Sequence, residues 1–335
     1  MVANFARAVP DSYSVMLAPN RFYDLSYDYE IRAGRGAWLR YWFAAPWEFG
    51  RLAATARGFV YVGANGFLIS SRDDREWEFA FLRRHGVHLV CLFTGSDIRS
   101  PVLMRQFEQE TGLETIVTYL DQVSPVLSSR EYDEQRKRLA AVADRYAELI
   151  FNASVDQLSY LQRPTEPFPY FYPDGDLLLD DAKHAAAGPR IVVHAPSSPI
   201  IKGTQVVRAA VQRLKAEGYV FDYRELIGVP HGEVIASLRQ AHIVLNEFYA
   251  FVPGVFGVEA MANGCALLTR ADESIETELP AGSNSAWIVT TAADIYSNLR
   301  NLLEHPELIA PQAAAGRAWV ESHATVSASG KRIQQ

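Results

Sequence analysis

Short β-rich runs alternate with stretches of helical period along almost the whole chain, and no other feature narrows the fold as much. Such alternation argues for βα units that build parallel sheets. In the first half the strand candidates are residues 14–18 (SVMLA), 59–62, 67–69, 87–93, 115–119 and 149–152. Residues 131–148 put Leu139, Val142, Ala143 and Tyr146 on one face and charges on the other, which predicts an amphipathic helix. The pattern dissolves over residues 163–188, a Pro- and Asp-rich stretch beginning RPTEPFPYFYPDGD that reads as a connector. It restarts with strands at 191–194, 221–226, 243–246, 266–269 and 287–290, then closes on helices at 292–304 and 307–322. The last residues, ATVSASGKRIQQ, are expected to fray.

A length of 335 residues suits two domains at roughly 100–200 residues each. The expected division is a first domain over 1–170, a linker over 171–188 and a second domain over 189–335, with the chain's final helix able to pack back on the first. With 49% apolar and 21% charged residues, the composition excludes a collagen-like chain and argues against wholesale disorder. A formal charge of −7 is not that of a chain built to coat nucleic acid or acidic lipid, although a local basic site remains compatible with it. The two cysteines, Cys91 and Cys265, each sit in an apolar run and read as small hydrophobes, without a disulfide framework or a zinc site. No run is long enough to span a membrane, and the first residues lack a signal peptide's layout, so a cytoplasmic location is expected.

Several chemistries are rejected by motif. There is no G-x-x-x-x-G-K-[ST] phosphate loop. Gly34-Arg35-Gly36 comes nearest to a dinucleotide fingerprint, but Leu39 stands where its third glycine belongs. No H-E-x-x-H or carboxylate spacing suggests a metal site, and His85 and His88, three apart, read as surface or satisfied core residues. G-x-S-x-G is also absent.

The chemistry concentrates in residues 190–270. Strand IVVHAP runs through SSPII into Lys202-Gly203-Thr204, which opens a helix with Val206, Val207, Ala210, Val211 and Leu214 as its buried face. Loops at the carboxyl ends of parallel strands bind ligands. A lysine beside a helix N-terminus adds a full positive charge to backbone donors, which suits a phosphate; the plain alternative is a solvated lysine at a turn. Strand HIVLNE then leads through FYAFVPGVFG into a second helix containing Glu259. Gly254 and Gly257 flank Phe256 and allow close backbone approach to a ligand. Glu259 can accept hydrogen bonds from paired sugar hydroxyls, or it can simply complement the helix dipole.

Together these segments resemble the C-terminal domain of the GT-B glycosyltransferases, specifically the retaining group 1 glycosyl transferases (GT4). The resemblance is carried by HAPSSPIIKGTQVVRAAVQRLKAEG, GVPHGEVIASLRQAHIVLNEF and GVFGVEAMANGCALLT, in that order, with a similar tail ADIYSNLRNLLEHPELIAPQAAAGRAWVESH. The first half matches more weakly, mainly through HGVHLVCLFTGSDIRS, which resembles the strand and loop facing the cleft. The resemblance implies an α/β GT-B fold, two Rossmann-like domains whose parallel sheets face a central cleft. The implied activity is transfer of a hexosyl or related group from a nucleoside diphosphate sugar to an acceptor hydroxyl, with retention and without metal or cofactor. The first domain would hold a sugar, lipid-linked or small-molecule acceptor, and the second would hold the donor. Carried over by position, Lys202 contacts the diphosphate, Ser198 lies in the same loop, and Glu259 binds the ribose. Gly254, Val255 and Phe256 lie beside the diphosphate and sugar, Val229 lies near the base, and Asp97 is the catalytic candidate of the first domain.

The sequence also departs from the family. The first of two glutamates separated by seven residues should stand at position 251, which is Phe251, so contacts to the donor sugar must be made differently. The arginine before the phosphate lysine is missing, with Ser197 near its place and His194 at the strand end. A cleft-facing histidine is replaced by Thr94. Residues 22–47 are dense in aromatics: Phe22, Tyr23, Tyr27, Tyr29, Trp38, Tyr41, Trp42, Phe43 and Trp47. Core packing accounts for most of them, while an acceptor platform or, more weakly given only Arg32, Arg35 and Arg40 nearby, contact with the inner membrane face are the functional readings. Two alternatives to a transferase stand beside it: a sugar-nucleotide epimerase of the same fold, and an inactive GT-B-like binding protein.

Overall fold

The computed structural model describes residues 2–17, 25–31, 37–68, 73–178, 182–185 and 188–334. Helix α1 (Val2–Ala8) and the short strands β1 (Val15–Met16) and β2 (Tyr29–Glu30) precede α2 (Ala37–Ala53), β3 (Gly58–Val62), α3 (Glu76–Arg84), β4 (His88–Leu92) and α4 (Pro101–Thr111). A 3-10 turn over Ile116–Tyr119 and α5 (Leu120–Val123) lead to α6 (Arg130–Tyr146), β5 (Leu149–Phe151) and the short α7 (Ala182–Ala185). The chain continues as β6 (Arg190–His194), α8 (Thr204–Ala216), β7 (Phe221–Glu225), α9 (His231–Gln240), β8 (Ile243–Leu245), α10 (Gly254–Ala262) and β9 (Ala266–Thr269). It ends with β10 (Ile288–Val289), α11 (Ile295–Glu304), α12 (Ile309–His323) and α13 (Val326–Gln334). Two units result, one of residues 1–113 and 124–169, the other of 114–123 and 170–335. Among the described residues, no helix is long and apolar enough to cross a membrane.

The first unit is built on the parallel sheet β3-β4-β5. Helix α6 starts at Ser129, whose hydroxyl accepts the Tyr132 N–H, and buries Leu139, Ala140, Val142 and Ala143 against Leu89 and Ile150. Residues 67 and 68, expected in a strand, form a loop instead. Their N–H groups donate to the buried carboxylate of Glu78 at 3.1 and 3.0 Å, and that side chain also accepts from the Tyr61 hydroxyl, so no backbone donors remain for a sheet ladder. Of the aromatic-rich segment, Tyr29 and Tyr41 pack against the core, whereas Trp42, Phe43 and Trp47 on α2 are 52%, 76% and 78% exposed. Ala18, Phe22, Tyr23, Arg32, Gly34, Arg35, Gly36, Ile69 and the side chains of Trp38 and Arg40 lie outside the described residues.

The second unit is a five-stranded parallel sheet in the order β10-β9-β8-β6-β7. Helix α8 buries Val207, Ala210, Val211 and Leu214, the one-face spacing expected from the sequence, against Val192, Ile243 and Leu245. Each such fully buried Val or Leu contributes about 1.5–3 kcal/mol.

Two segments differ from expectation here. Residues 115–119 are a 3-10 turn, because the Thr115 hydroxyl accepts the Val117 N–H at 3.2 Å and local capping wins over β-propensity. They belong to the second unit, where Ile116 packs with Tyr249 and Ala250. The C-terminal residues, expected to fray, form α13. Tyr172 bonds Ala324 and Val326 through its backbone N–H and carbonyl at 2.7 and 2.8 Å, and the buried Ser329 hydroxyl donates to the Tyr170 carbonyl.

Candidate functional site

The strand order places β6 between β7 and β8, so the connections leaving β6 and β8 diverge to opposite sides of the sheet. In open parallel sheets the crevice outside the carboxyl ends of the strands at such a switch point is where ligands bind. The two loops that border it, 195–203 and 246–253, contain Lys202 and Glu247.

The first loop is wound into turns, with the Lys202 N–H on the Ser198 carbonyl (3.1 Å) and the Thr204 N–H on the Pro199 carbonyl (2.9 Å). Gly203 has φ +77°, and a Cβ there would stand 3.3 Å from the Tyr249 ring, so both conformation and space call for glycine. His194, fully buried at the end of β6, clamps this loop from below. Its Nδ1 faces the Leu245 carbonyl at 2.7 Å, which can only accept, so Nδ1 carries the proton and Nε2 accepts from the Thr204 hydroxyl at 2.9 Å. Burial pushes the imidazole down to about 4, which keeps it neutral. A residue that resemblance set in a charge-poor strand end is thus the tie between β6, β8 and the start of α8.

Lys202 forms an ion pair with Glu247, whose side chain is 6% exposed against 25% for the lysine. The second loop is fixed by Asn246, whose amide donates to the Pro253 carbonyl (2.8 Å) and the Thr269 hydroxyl (3.1 Å), and by the Arg270 N–H on the Glu247 carbonyl (3.0 Å). Phe251 is fully buried in this loop, and the Arg270 guanidinium lies 5.5 Å from its ring centroid. Position 251 is therefore a packing position in this chain, and its side chain offers no polar atom to a sugar. Gly254, with φ +64°, opens α10, and a Cβ there would stand 2.8 Å from Glu247 Oε1. Gly257 answers a different need from close approach to a ligand: a Cβ on it would meet Asn246 Nδ2 at 2.9 Å and Leu267 at 3.3 Å, so it lets α10 pack on the sheet.

Glu259, on the second turn of α10, is buried and bonded through Oε1 to His231 Nε2 at 2.8 Å. His231 opens α9 directly after Gly228, Val229 and Pro230, so the carboxylate and the Val229 loop come together. Val255 is exposed and Phe256 half-buried on the first turn of α10, and Ser198 is half-buried. Asp97 lies in the first unit, after β4. It accepts the Thr94 N–H with both oxygens at 3.0 Å and lies 3.3 Å from a Cβ placed on Gly63, so it organises the loops after β3 and β4.

Residues 178–335 match the glycosyl transferase-like family. This part of the chain is similar to glycosyl transferase-like domains. The fold class is GT-B, with two Rossmann-like domains. An α-glucosyltransferase solved with UDP and a mismatch-containing 13-mer DNA is similar at 10% identity, over 86% of this chain and 82% of that one, with a TM-score of 0.53. S. aureus MnaA, solved with UDP, has 13% identity over 99% and 91% of the two chains and a TM-score of 0.48. Sucrose-phosphate synthase from Thermosynechococcus elongatus has 15% identity over 91% and 92%, again with a TM-score of 0.48. No curated protein matches the sequence.

Within residues 178–335, three residues around the carboxyl ends of the strands escape a reading by motif: Glu247 as the partner of Lys202, His231 as the partner of Glu259, and Arg270 at the end of β9. Glu247 carries a faint signal, as the one charged residue in the otherwise apolar stretch NEFYAFVPG. Burial pushes the Arg270 guanidinium down, against the pull of Asp272, Glu114 and Asp294, but an arginine stays charged regardless. Tyr119, half-buried beside Tyr249 with ring centroids 4.4 Å apart, reaches this domain only through the excursion of residues 114–123.

Proposed function

We propose that the chain transfers a glycosyl group from a nucleoside diphosphate sugar to an acceptor hydroxyl, with retention of configuration and without a metal. The observation that carries this reading is that Lys202 and the opening of α10 lie on either side of one carboxylate, Glu247, at the switch point of the sheet. A lysine and a helix N-terminus together stabilise the negative charge that grows on the leaving diphosphate as the glycosidic bond breaks. The half-buried position of Lys202 strengthens that interaction relative to open water. Glu259 supports the nucleoside end: its carboxylate, next to the Val229 loop, can accept from the two ribose hydroxyls once His231 yields. Asp97, occupied by its own loop, has the arrangement of a positioning residue. UDP or UDP-glucose is the nucleotide held by the similar α-glucosyltransferase, which makes uridine donors the first to test.

Purified chain incubated with common nucleotide sugars and a panel of hydroxyl acceptors is expected to release nucleoside diphosphate only when an acceptor is present. An isomerised donor formed without acceptor would instead identify an epimerase, and no change in any donor would count against both enzymes. The anomeric proton coupling of the product reports retention directly. Glu259→Ala is expected to weaken UDP by about tenfold, the worth of a charged hydrogen bond, while leaving inorganic pyrophosphate unaffected. Equal losses for both probes in calorimetry would remove Glu259 from the nucleoside end.

A further inference from the structure

The loop that leaves β8 brings its own anion to the place proposed for the diphosphate. Glu247 is ion-paired with Lys202, and its other oxygen, Oε1, lies so close to Gly254 that a single added Cβ would be 2.8 Å away. Gly254 is the first residue of α10, a nine-residue helix. That helix has Pro253 at its N-cap position, with no side-chain capping bond, and no acidic residue in its first turn. Helix N-termini attract anions, and the carboxylate that lies against Gly254 comes not from the helix's own first turn but from seven residues upstream, on the loop that precedes it. One buried carboxylate thus stands beside both groups that would receive a phosphate: it is paired with the lysine through Oε2, and its Oε1 lies against Gly254 at the start of α10.

We infer that Glu247 is a resident anion that holds the diphosphate position in the empty site and that a nucleoside diphosphate must displace. The inference rests on the reading of Lys202 and α10 given above and adds an element of control to it. A carboxylate and a phosphate cannot both neutralise one lysine in a buried setting, because the like charges would repel at short range. Ligand binding therefore breaks the Lys202–Glu247 pair, and departure of the product lets it close again. The pair keeps Lys202 aimed into the crevice while the site is empty, and it weakens the grip on the spent nucleotide. Gly254 is what makes room for the carboxylate, which gives that glycine a role besides its backbone conformation.

Calorimetry on the full chain with UDP and with inorganic pyrophosphate tests this. Glu247→Gln keeps the shape and removes the charge, and it is expected to bind both probes about tenfold more tightly than the parent chain. Glu247→Asp withdraws the charge by one methylene and should fall between them, which provides a second reading if the glutamine variant folds poorly by circular dichroism. Unchanged or weaker binding by folded Glu247→Gln overturns the inference, since a residue that contacts ligand favourably would lose affinity. If Lys202→Met lowers affinity while Glu247→Gln does not raise it, the phosphate site stands and the resident anion falls. Absence of binding to either probe by parent and variants alike would defeat the site reading and the inference together.

Discussion

Lys202→Met is expected to lower nucleoside diphosphate affinity by about ten- to a hundredfold, some 1.5–3 kcal/mol, the worth of a charged hydrogen bond. Methionine retains most of the apolar stem and its packing, so the loss isolates the ammonium. The same change strips Glu247 of its cation. Breaking a fully buried pair costs about 3–5 kcal/mol, and the cost here should be smaller because a quarter of the Lys202 side chain meets solvent. Thermal denaturation should therefore show a destabilised chain as well as a weak binder. Adding Glu247→Gln removes the carboxylate charge that had faced the lysine, and the double variant is expected to regain stability without regaining the affinity of the single glutamine variant. An affinity that survives Lys202→Met in calorimetry would take the lysine out of the site.

Folded stability is expected to fall steeply as pH drops from about 6.5 towards 4, driven by two buried histidines. Burial holds His194 and His242 down to about 4, whereas an unfolded histidine protonates near 6.5. Between those values the unfolded chain binds more protons than the folded one, so each step of acidification favours unfolding. Stability conferred by the neutral rings is complete above about 6.5 and is lost as pH falls to about 4, on the order of 3 kcal/mol for each ring. The hydrogen bonds explain the resistance to charging. His242 accepts the Ile191 N–H through Nδ1 at 3.1 Å and faces the Lys183 carbonyl with Nε2 at 3.0 Å, so a second proton would displace a donor, as it would at His194. Burial raises Glu78 above the ordinary glutamate value, and because its folded form then protonates first, it offsets part of the loss at the acid end. Urea unfolding at pH 7 and pH 5 should show the decline, and His194→Gln or His242→Gln should each flatten it. Imidazole nitrogen shifts provide a direct check: His194 and His242 should stay neutral at pH 5. If both titrate near 6.5, the buried neutral pair is wrong. Protonation of His194 would also release Thr204, the first residue of α8, and so loosen the Lys202 loop.

The sheet and helices of the second unit were legible because their strands are short apolar runs and α8 repeats its apolar residues at helical spacing. The strand order is not written in that pattern, yet it decides that the loops of Lys202 and Glu247 meet. In the first unit, residues 67 and 68 looked like a strand and became a loop because the Glu78 carboxylate on α3, eleven and ten residues away in the chain, took their backbone donors. Residues 115–119 carried the β-branched composition of a strand, but Thr115 capped a turn, and Ile116 packs with Tyr249 and Ala250 in the second unit, to which this segment belongs. The tail, expected to fray as a chain end, is held instead by backbone bonds to Tyr172.

By itself, then, the sequence determined the parallel α/β class, the phosphate-suited lysine before α8 and the carboxylate on α10, because each depends on neighbours within one βα unit. Only the tertiary structure decided what those groups touch. Glu247 is 45 positions from Lys202, His231 is 28 from Glu259, and Phe251 is fully buried in the core. Pairings at such distances along the chain depend on how strands are ordered in the sheet, and that order follows from the burial of whole faces rather than from any local run of residues.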